Sequence, residues 1–309
     1  MPKISVIVNC YNSSKYLQEA LDCVLNQSYT DWELIFWDNQ STDSSAKVFL
    51  KNKDLRFKYF YAPTHTGLYK ARNCAMEKAS GEFIAFLDAD DLWHLDKLER
   101  QLSLFIDESV GLVYGKYTVL NELSNKQYWP HPMFNENLPT GWALEKLIDY
   151  YCVGLLTIML RRKAFDGLEK KFDNRLNVIG DFDIVLRISV DWKVDCIQDS
   201  VAKYRVHGNN FSGRNRPMYI EENITWHSEM RFHRDFSENK NIKKKYYFYL
   251  FQEAVQNKLD GSKLVRVLST FLTLPLSIIK LKLLIIIICP NFLYYLYLKV
   301  YGYFNVNNT

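Results

Sequence analysis

Over the first 90 residues the apolar positions switch between short, mostly apolar runs and a helical spacing. ISVIVNC (4–10), WELIFW (32–37), FKYFY (57–61) and EFIAFL (82–87) are rich in β-branched and aromatic residues and too short for helices, so they predict strands. Between the first two lies SSKYLQEALDCVLNQ, with Tyr16, Leu17, Ala20, Leu21, Val24 and Leu25 on one helical face and Ser13 or Ser14 as its N-cap. STDSSAKVFLKN and GLYKARNCAMEKAS predict two more helices, the second closed by Gly81. Strands alternating with helices predict an α/β fold, a Rossmann-like, mainly parallel sheet covered on both faces.

Such sheets bind ligands outside the carboxyl ends of their strands. Here those ends carry Asn9 and Tyr11, Asp38 and Asn39, and Asp88 and Asp90, so three strands send polar groups to one rim. Beyond residue 110 the alternation weakens. GLVYGKYTVL and GLLTIMLRRKAF predict strands, YWPHPMFNENLPTGWALEKLIDY a loop leading into a helix, and IGDFDIVLRISVDWKVDCI an apolar helix opened by Asp181 and Asp183. SVAKYRVHGNNFS closes this part, and after residue 216 the chain reads as helical and increasingly apolar.

Composition adds limits. With 309 residues, 48% of them hydrophobic, the chain can build about two domains, or one large domain with an extension. Six scattered cysteines without a CxxC pair, and an N-terminus that starts a strand at once, predict an intracellular protein with reduced thiols. The net charge of +4 is uneven: from residue 240 onward ten Lys or Arg face only Glu253 and Asp260, a local +8 that leaves −4 for the rest. A mildly acidic body excludes the basic face of a nucleic-acid binder. A basic tail suits an anionic membrane surface.

The chemistry concentrates in FIAFLDADDLWHLDKL (83–98), where Asp88, Asp90 and Asp91 follow an apolar run directly. Adjacent carboxylates repel, and at the edge of a core they are costly to desolvate. Water, a bound cation or hydrogen bonds must compensate them. Two acids at i and i+2 on a tight turn can share a hard cation that also meets phosphate oxygens. Asp88, Asp90 and Glu99 match three EF-hand ligand positions, but Leu92 and Trp93 occupy two others and exclude that loop. A DxDx[TV] phosphatase motif fails at Leu92. A merely solvated turn is the plain alternative.

Five stretches, SVIVNCYN, WDNQSTDSS, GLYKARNCAMEKASGEFIAFLDADD, GDFDIVLRI and YRVHGNNFS, resemble in this order the motifs of family 2 glycosyltransferases of the GT-A fold, over residues 4 to about 213. The resemblance implies a GT-A catalytic domain over 1–215, its nucleotide-sugar-binding half at 1–110 and its acceptor and catalytic-base half at 111–215, followed by a helical, membrane-associated extension at 216–309. It implies that Asp90, with Asp88 and His207, holds Mn²⁺ or Mg²⁺ at the donor's diphosphate. Asp88 would also stand near the ribose, Asn9 and Tyr11 would meet the nucleotide base, and Asp38, Asn39 and Arg72 would complete the nucleoside pocket. Asp181 matches the catalytic base, with Asp183 as its substitute. The sequence departs from the family pattern at Gly180, where an acid commonly precedes the base, at Asn39, where an acid is common, and at Asn9, where Pro or Thr is usual.

The implied activity is metal-dependent, inverting transfer from a nucleotide sugar, a UDP-sugar, to a glycan or lipid-linked glycan acceptor in cell-surface polysaccharide synthesis. A catalytically silent GT-A-like module that binds a nucleotide sugar or a partner enzyme is the alternative. The run Leu283–Leu298 is broken by Pro290 and Asn291 and flanked by lysines. It is short against the ~20 apolar residues of a span, so an interfacial or re-entrant segment is expected, on a protein peripheral to the inner face of the cell membrane. A helix pair buried in the fold or in a dimer is the alternative there.

Overall fold

The computed structural model describes residues 2–259, 264–275 and 277–288. The chain divides into two compact units, Met1–Gly208 and Asn209–Thr309. In the first unit β1 (Ile4–Cys10), β2 (Trp32–Asp38), β3 (Phe57–Tyr61) and β4 (Phe83–Phe86) run parallel in the order β3-β2-β1-β4. This is the α/β arrangement that the alternating pattern predicts. The register pairs Cys10 with Asp38 and Ile7 with Phe86. Continued two residues, it brings Asp88 level with Asn9, so the three strand ends open on one rim.

One face of this sheet presents Val6, Val8, Leu34 and Phe36 to α1 (Leu17–Leu25) and α2 (Ser45–Leu50), all in one buried core with Leu17, Leu21 and Phe49. The opposite face carries α3 (Leu68–Met76). The second half of the unit adds β5 (Leu92–Trp93), α4 (Lys97–Ser103), β6 (Val110–Asn121), β7 (Lys126–Tyr128), α5 (Leu144–Asp149), β8 (Met159–Arg161), α6 (Arg162–Asp166), α7 (Gly180–Asp191) and β9 (Lys193–Val206). The sheet continues past β4 as β8-β6-β9-β5, with β7 on β6. β6 and β9 are parallel, whereas β8 runs against both β4 and β6, and β5 against β9.

Several local expectations give way for identifiable reasons. Neither Ser13 nor Ser14 caps α1 through its side chain. Their backbone N–H groups instead donate to Ser45 Oγ and Asp43 Oδ2, at 3.0 Å each, which ties the β1 exit to the β2 exit. α3 ends at Met76, before Gly81. Gly81 is required for close approach rather than helix termination: a Cβ there would stand 2.5 Å from Ser5 N and 2.7 Å from Ile4 C. Within GLLTIMLRRKAF only Met159–Arg161 is strand, between a 3₁₀ turn at Leu155–Thr157 and α6. The helix opened by Asp181 stops at Asp191, and KVDCI begins β9. Its apolar pattern is interrupted at Gln198 and Asp199, where β9 bulges against β6 between Gly115 and Lys116. Trp93 is a core residue whose Nε1 donates to Leu156 O at 2.7 Å.

The second unit contains α8 (Phe211–Arg214), α9 (Arg216–Met230), α10 (Lys240–Leu259), α11 (Leu264–Thr273) and α12 (Ile278–Ile288). α10 packs on α9, α11 and α12, and Ala254, Val267, Leu274 and Leu283 are its buried apolar centre. Leu283, the first residue of the run expected at a membrane, is therefore covered by protein; residues 289–298 of that run lie outside the described residues. Among the described residues no helix is long and apolar enough to cross a membrane, and the five described cysteines are free thiols.

Gly81→Ala should destabilise the first unit by about 1–3 kcal/mol, because the backbone it meets cannot step aside as a flexible side chain could. Chemical denaturation checks this, and an unchanged midpoint would show that the β1–β4 edge relaxes freely.

Candidate active site

The three carboxylates after β4 find three different partners. Asp88 Oδ1 accepts from Arg72 Nη2 at 2.6 Å. Asp90 Oδ2 lies 3.0 Å from His207 Nε2. Asp91 is buried, and its Oδ1 accepts from the backbone N–H of Arg205 at 2.8 Å. Burial, then the charges of Asp90 and Asp88, push the Asp91 carboxyl well above the usual range. That shift favours its protonated form and relieves the repulsion. Asp90 is pushed up by burial and by Asp88, against the pull of His207. The turn is closed by Asp91 N donating to Asp88 O at 3.1 Å.

Arg205 and His207 both come from the end of β9, and they fix this turn from outside. The Arg205 guanidinium donates to Asp90 O at 2.8 Å, to Glu122 Oε1 at 2.6 Å and to Glu19 Oε2 at 2.8 Å. It also lies 4.5 Å from the Tyr16 ring, which faces the His207 ring at 4.8 Å. Arg205 and Tyr16 escape a reading of motifs. Arg205 stands two positions before His207 with no local sign of its role, and Tyr16 reads as one more apolar position of α1.

On the nucleoside side the expected residues divide. Tyr11 is half exposed at the β1 exit, its ring 4.3 Å from that of His65. Both polar atoms of the Asn9 amide are buried and lack a hydrogen-bond partner, an arrangement that awaits a ligand or water. Asp38, by contrast, is fully buried and spent inside the protein: its carboxylate accepts from Ser41 N and from the Tyr59 hydroxyl, each at 2.7 Å. It braces the loop after β2 instead of presenting oxygens at the rim. Asn39 ties that loop to the β3 exit, donating to Thr66 O at 2.8 Å and accepting from Thr66 N at 3.2 Å.

The other wall is the start of α7. Asp181 Oδ1 accepts from the Tyr69 hydroxyl at 3.1 Å, and Asp181 N donates to the same oxygen at 3.1 Å. Burial pushes the Asp181 carboxyl up, while the Arg72 charge and the hydrogen bonds pull against it. Asp183 faces inward, buried and paired with Arg187, whose Nη2 is 2.5 Å from Asp183 Oδ2. Arg187 also donates to Lys170 O and Lys171 O, so this pair fastens α7 to the segment before it. Asp183, expected as the substitute for Asp181, is thus engaged in an ion pair. The buried Arg72 is the hinge of the whole site, since it bonds Asp88, lies 4.8 Å from the Tyr69 ring and attracts Asp181.

Of the three residues expected at a metal, Asp90 and His207 converge, whereas Asp88 is engaged by Arg72. Among the described residues no three His, Cys, Asp or Glu side chains form a cage. One carboxylate and one imidazole are donors that suit a Mn²⁺ or Mg²⁺ ion, and in that sense the residues fit the ion.

The sequence profile of glycosyl transferase family 2 matches residues 5–168, more than half of the chain. The chain belongs to this family. The match runs from β1 through the three acids to α6, so it includes the donor-side rim and stops short of Asp181 and His207. The family 2 chain is 30% identical, over 211 residues, to the Escherichia coli UDP-Glc:alpha-D-GlcNAc-diphosphoundecaprenol beta-1,3-glucosyltransferase WfgD, covering 68% of this chain and 79% of that one. Its fold is that of S. aureus TarS 1–349, solved in complex with UDP-GlcNAc, with a TM-score of 0.69 at 21% identity over 88% of this chain and 82% of the other. It also resembles the mannosyltransferase PcManGT from Pyrobaculum calidifontis, solved with GDP-Man and Mn²⁺, with a TM-score of 0.64 at 18% identity over 92% and 86% of the two chains. The GT-A fold expected from the motifs is therefore present in this glycosyltransferase.

Breaking the Asp183–Arg187 pair should cost stability before it costs chemistry. Asp183→Ala in this family 2 enzyme should lose about 3 kcal/mol, since it leaves a mostly covered guanidinium without its charge partner. Denaturant melts check the loss; an unaltered melt with abolished turnover would return Asp183 to the site.

Proposed function

We propose that the chain transfers a sugar, with inversion, from a UDP-sugar to a hydroxyl of a glycan or lipid-linked glycan during cell-surface polysaccharide synthesis. The observation that carries this reading is that one buried guanidinium, Arg72, bonds Asp88 and attracts Asp181. In this reading the base and the acid on the diphosphate side stand on either side of Arg72. The name of the E. coli relative, with its UDP-Glc donor and diphosphoundecaprenol acceptor, and the UDP-GlcNAc complex of the TarS neighbour support the donor and acceptor classes.

In this reading the division of labour follows the sheet. Residues 1–110 hold the donor: the unpartnered amide of Asn9 and the Tyr11–His65 ring pair meet the base, Asp38 and Asn39 keep the rim in shape, and Asp88 stands by the ribose on Arg72. Residues 111–215 bring the acceptor and Asp181. Asp90 and His207 would hold a divalent cation, which when bound would supply positive charge beside the leaving diphosphate. Asp181 takes the proton of the acceptor hydroxyl as its oxygen bonds to the anomeric carbon and the bond to the diphosphate breaks. One displacement with no enzyme-bound intermediate inverts the anomeric centre. Burial favours this chemistry, because a carboxyl pushed up from its ordinary value is a stronger base. The rate should fall as pH drops through that raised value.

Residues 216–309 are the membrane-facing part, on the inner face of the cell membrane. The +8 charge from residue 240 onward supports this, at about 1 kcal/mol for each Lys or Arg close to an anionic surface.

Two variants separate the roles at the centre. Asp90→Asn should lose Mn²⁺-dependent binding of UDP in calorimetry. Asp181→Asn should bind UDP normally while releasing nucleoside diphosphate from UDP-glucose or UDP-N-acetylglucosamine at least ~100-fold more slowly. Equal affinity in the first, or near-normal turnover in the second, overturns the corresponding assignment. For the extension, the full chain should float with anionic but not zwitterionic liposomes, and more weakly as salt rises. Indifference to lipid charge would remove the membrane role.

A further inference from the structure

Gly180 occupies the position where the family pattern commonly carries an acid, directly before the base. The structure supplies a steric reason. A Cβ on Gly180 would stand 2.5 Å from Tyr69 Cδ2 and 2.6 Å from its Cε2 and Cγ. The obstacle is the body of an aromatic ring, and that ring cannot withdraw. Tyr69 is only 2% exposed and is stacked on Phe172 with centroids 5.3 Å apart and planes at 28°. A side chain at 180 and a tyrosine at 69 are mutually exclusive in this packing.

We propose that Tyr69, reaching across from α3, takes the place of the missing side chain at 180 and acts as the positioning residue of Asp181. The proposal rests on the reading of Asp181 as the base. The geometry brackets Asp181: the Tyr69 oxygen accepts from Asp181 N and donates to Asp181 Oδ1, both at 3.1 Å. Val178 O is a more distant acceptor for the same proton, at 3.4 Å. The ring also receives the Arg72 guanidinium at 4.8 Å, and Arg72 bonds Asp88 at 2.6 Å. One continuous chain of contacts, Asp88–Arg72–Tyr69–Asp181, therefore runs from the donor edge to the base. An acid at position 180 would have added a second negative charge beside Asp181. The phenol adds a neutral donor instead, so the base keeps its orientation without like-charge repulsion.

The sign of the effect follows from the groups around Asp181. Arg72 and Tyr69 approach from α3, and the phenols of Tyr117 from β6 and Tyr151 from the segment before β8 lie within electrostatic reach. Arg72 and the Tyr69 hydroxyl favour the charged carboxylate, and burial opposes it. Removing the hydroxyl while keeping the ring should leave Asp181 harder to ionise.

Tyr69→Phe is the test, because it preserves the stack on Phe172 and the face offered to Arg72. In aspartate ¹³C-labelled full-length protein, the Asp181 carboxyl resonance, assigned by its absence in Asp181→Asn, should titrate at least ~0.5 pH unit higher than in the parent. The acid limb of nucleoside diphosphate release from UDP-glucose or UDP-N-acetylglucosamine should move the same way, with kcat reduced and the calorimetric affinity for UDP unchanged. Coincident titrations in Tyr69→Phe and the parent overturn the proposal. So does a loss of UDP affinity equal to the loss of rate, which would place Tyr69 on the donor side alone. The exchange can also be run in reverse. Gly180→Glu alone should impair turnover, and Tyr69→Ser with Gly180→Glu should recover at least ~10-fold of it; no recovery counts against the exchange. Near-normal turnover in Asp181→Asn would instead overturn the base assignment, while the titration arm still reports on the Tyr69–Asp181 bond.

Discussion

Repulsion among Asp88, Asp90 and Asp91 is the constraint around which the first unit is arranged. Four positions of chain at the end of β4 carry three carboxylates, and none can be left uncompensated so close to a core. The fold separates them. Asp88 turns to Arg72 on α3, Asp90 to His207 beyond β9, and Asp91 inward to a backbone N–H, where burial favours its neutral form. Each partner belongs to another element of the fold. The same contacts that relieve the repulsion therefore draw α3, β4 and β9 to one point, and that point is the candidate site.

This arrangement explains which parts of the protein were legible as sequence. β1, β2 and β4 are buried on both faces, so their runs are apolar apart from Ser5 and Glu33 near the strand starts, and polar residues mark their ends. The acids at those ends could be read directly, as could the helix that starts at Asp181. β9 could not, because its pattern is interrupted by a bulge that only the pairing with β6 reveals. Nor could the division between residues facing the rim and residues supporting it. Asp38 and Asn9 look alike as polar strand ends, yet one is saturated by Ser41 and Tyr59 while the other keeps both amide atoms unpartnered. Local pattern shows where a strand stops, but side-chain partners come from the tertiary fold.

Gly180 illustrates the same limit from the other direction. In the sequence it is a departure from the family pattern and reads as a deficiency beside the base. In the structure it is the space required by Tyr69, a residue 111 positions earlier that reads as one apolar position of a helix. Steric exclusion between two distant positions leaves no mark at either one, and only their proximity in the fold exposes it.

The position of β9 has a consequence for the order in which the protein can be made. A ribosome delivers the acids of the β4 exit well before Arg205 and His207, which are more than 110 residues further along. Until β9 inserts between β6 and β5, two of the three carboxylates lack their partners, and β5 has no strand to pair with. A nascent chain released at the end of α6 would already contain β1 to β4 and nearly all of the stretch that the family profile matches, yet the turn between β4 and β5 would be under electrostatic strain. Ordering of that turn must be late and coupled to long-range pairing, the kind of closure that slows folding. The final strand of the first unit thus supplies the last two partners of that turn, and a chain that ends before it lacks them.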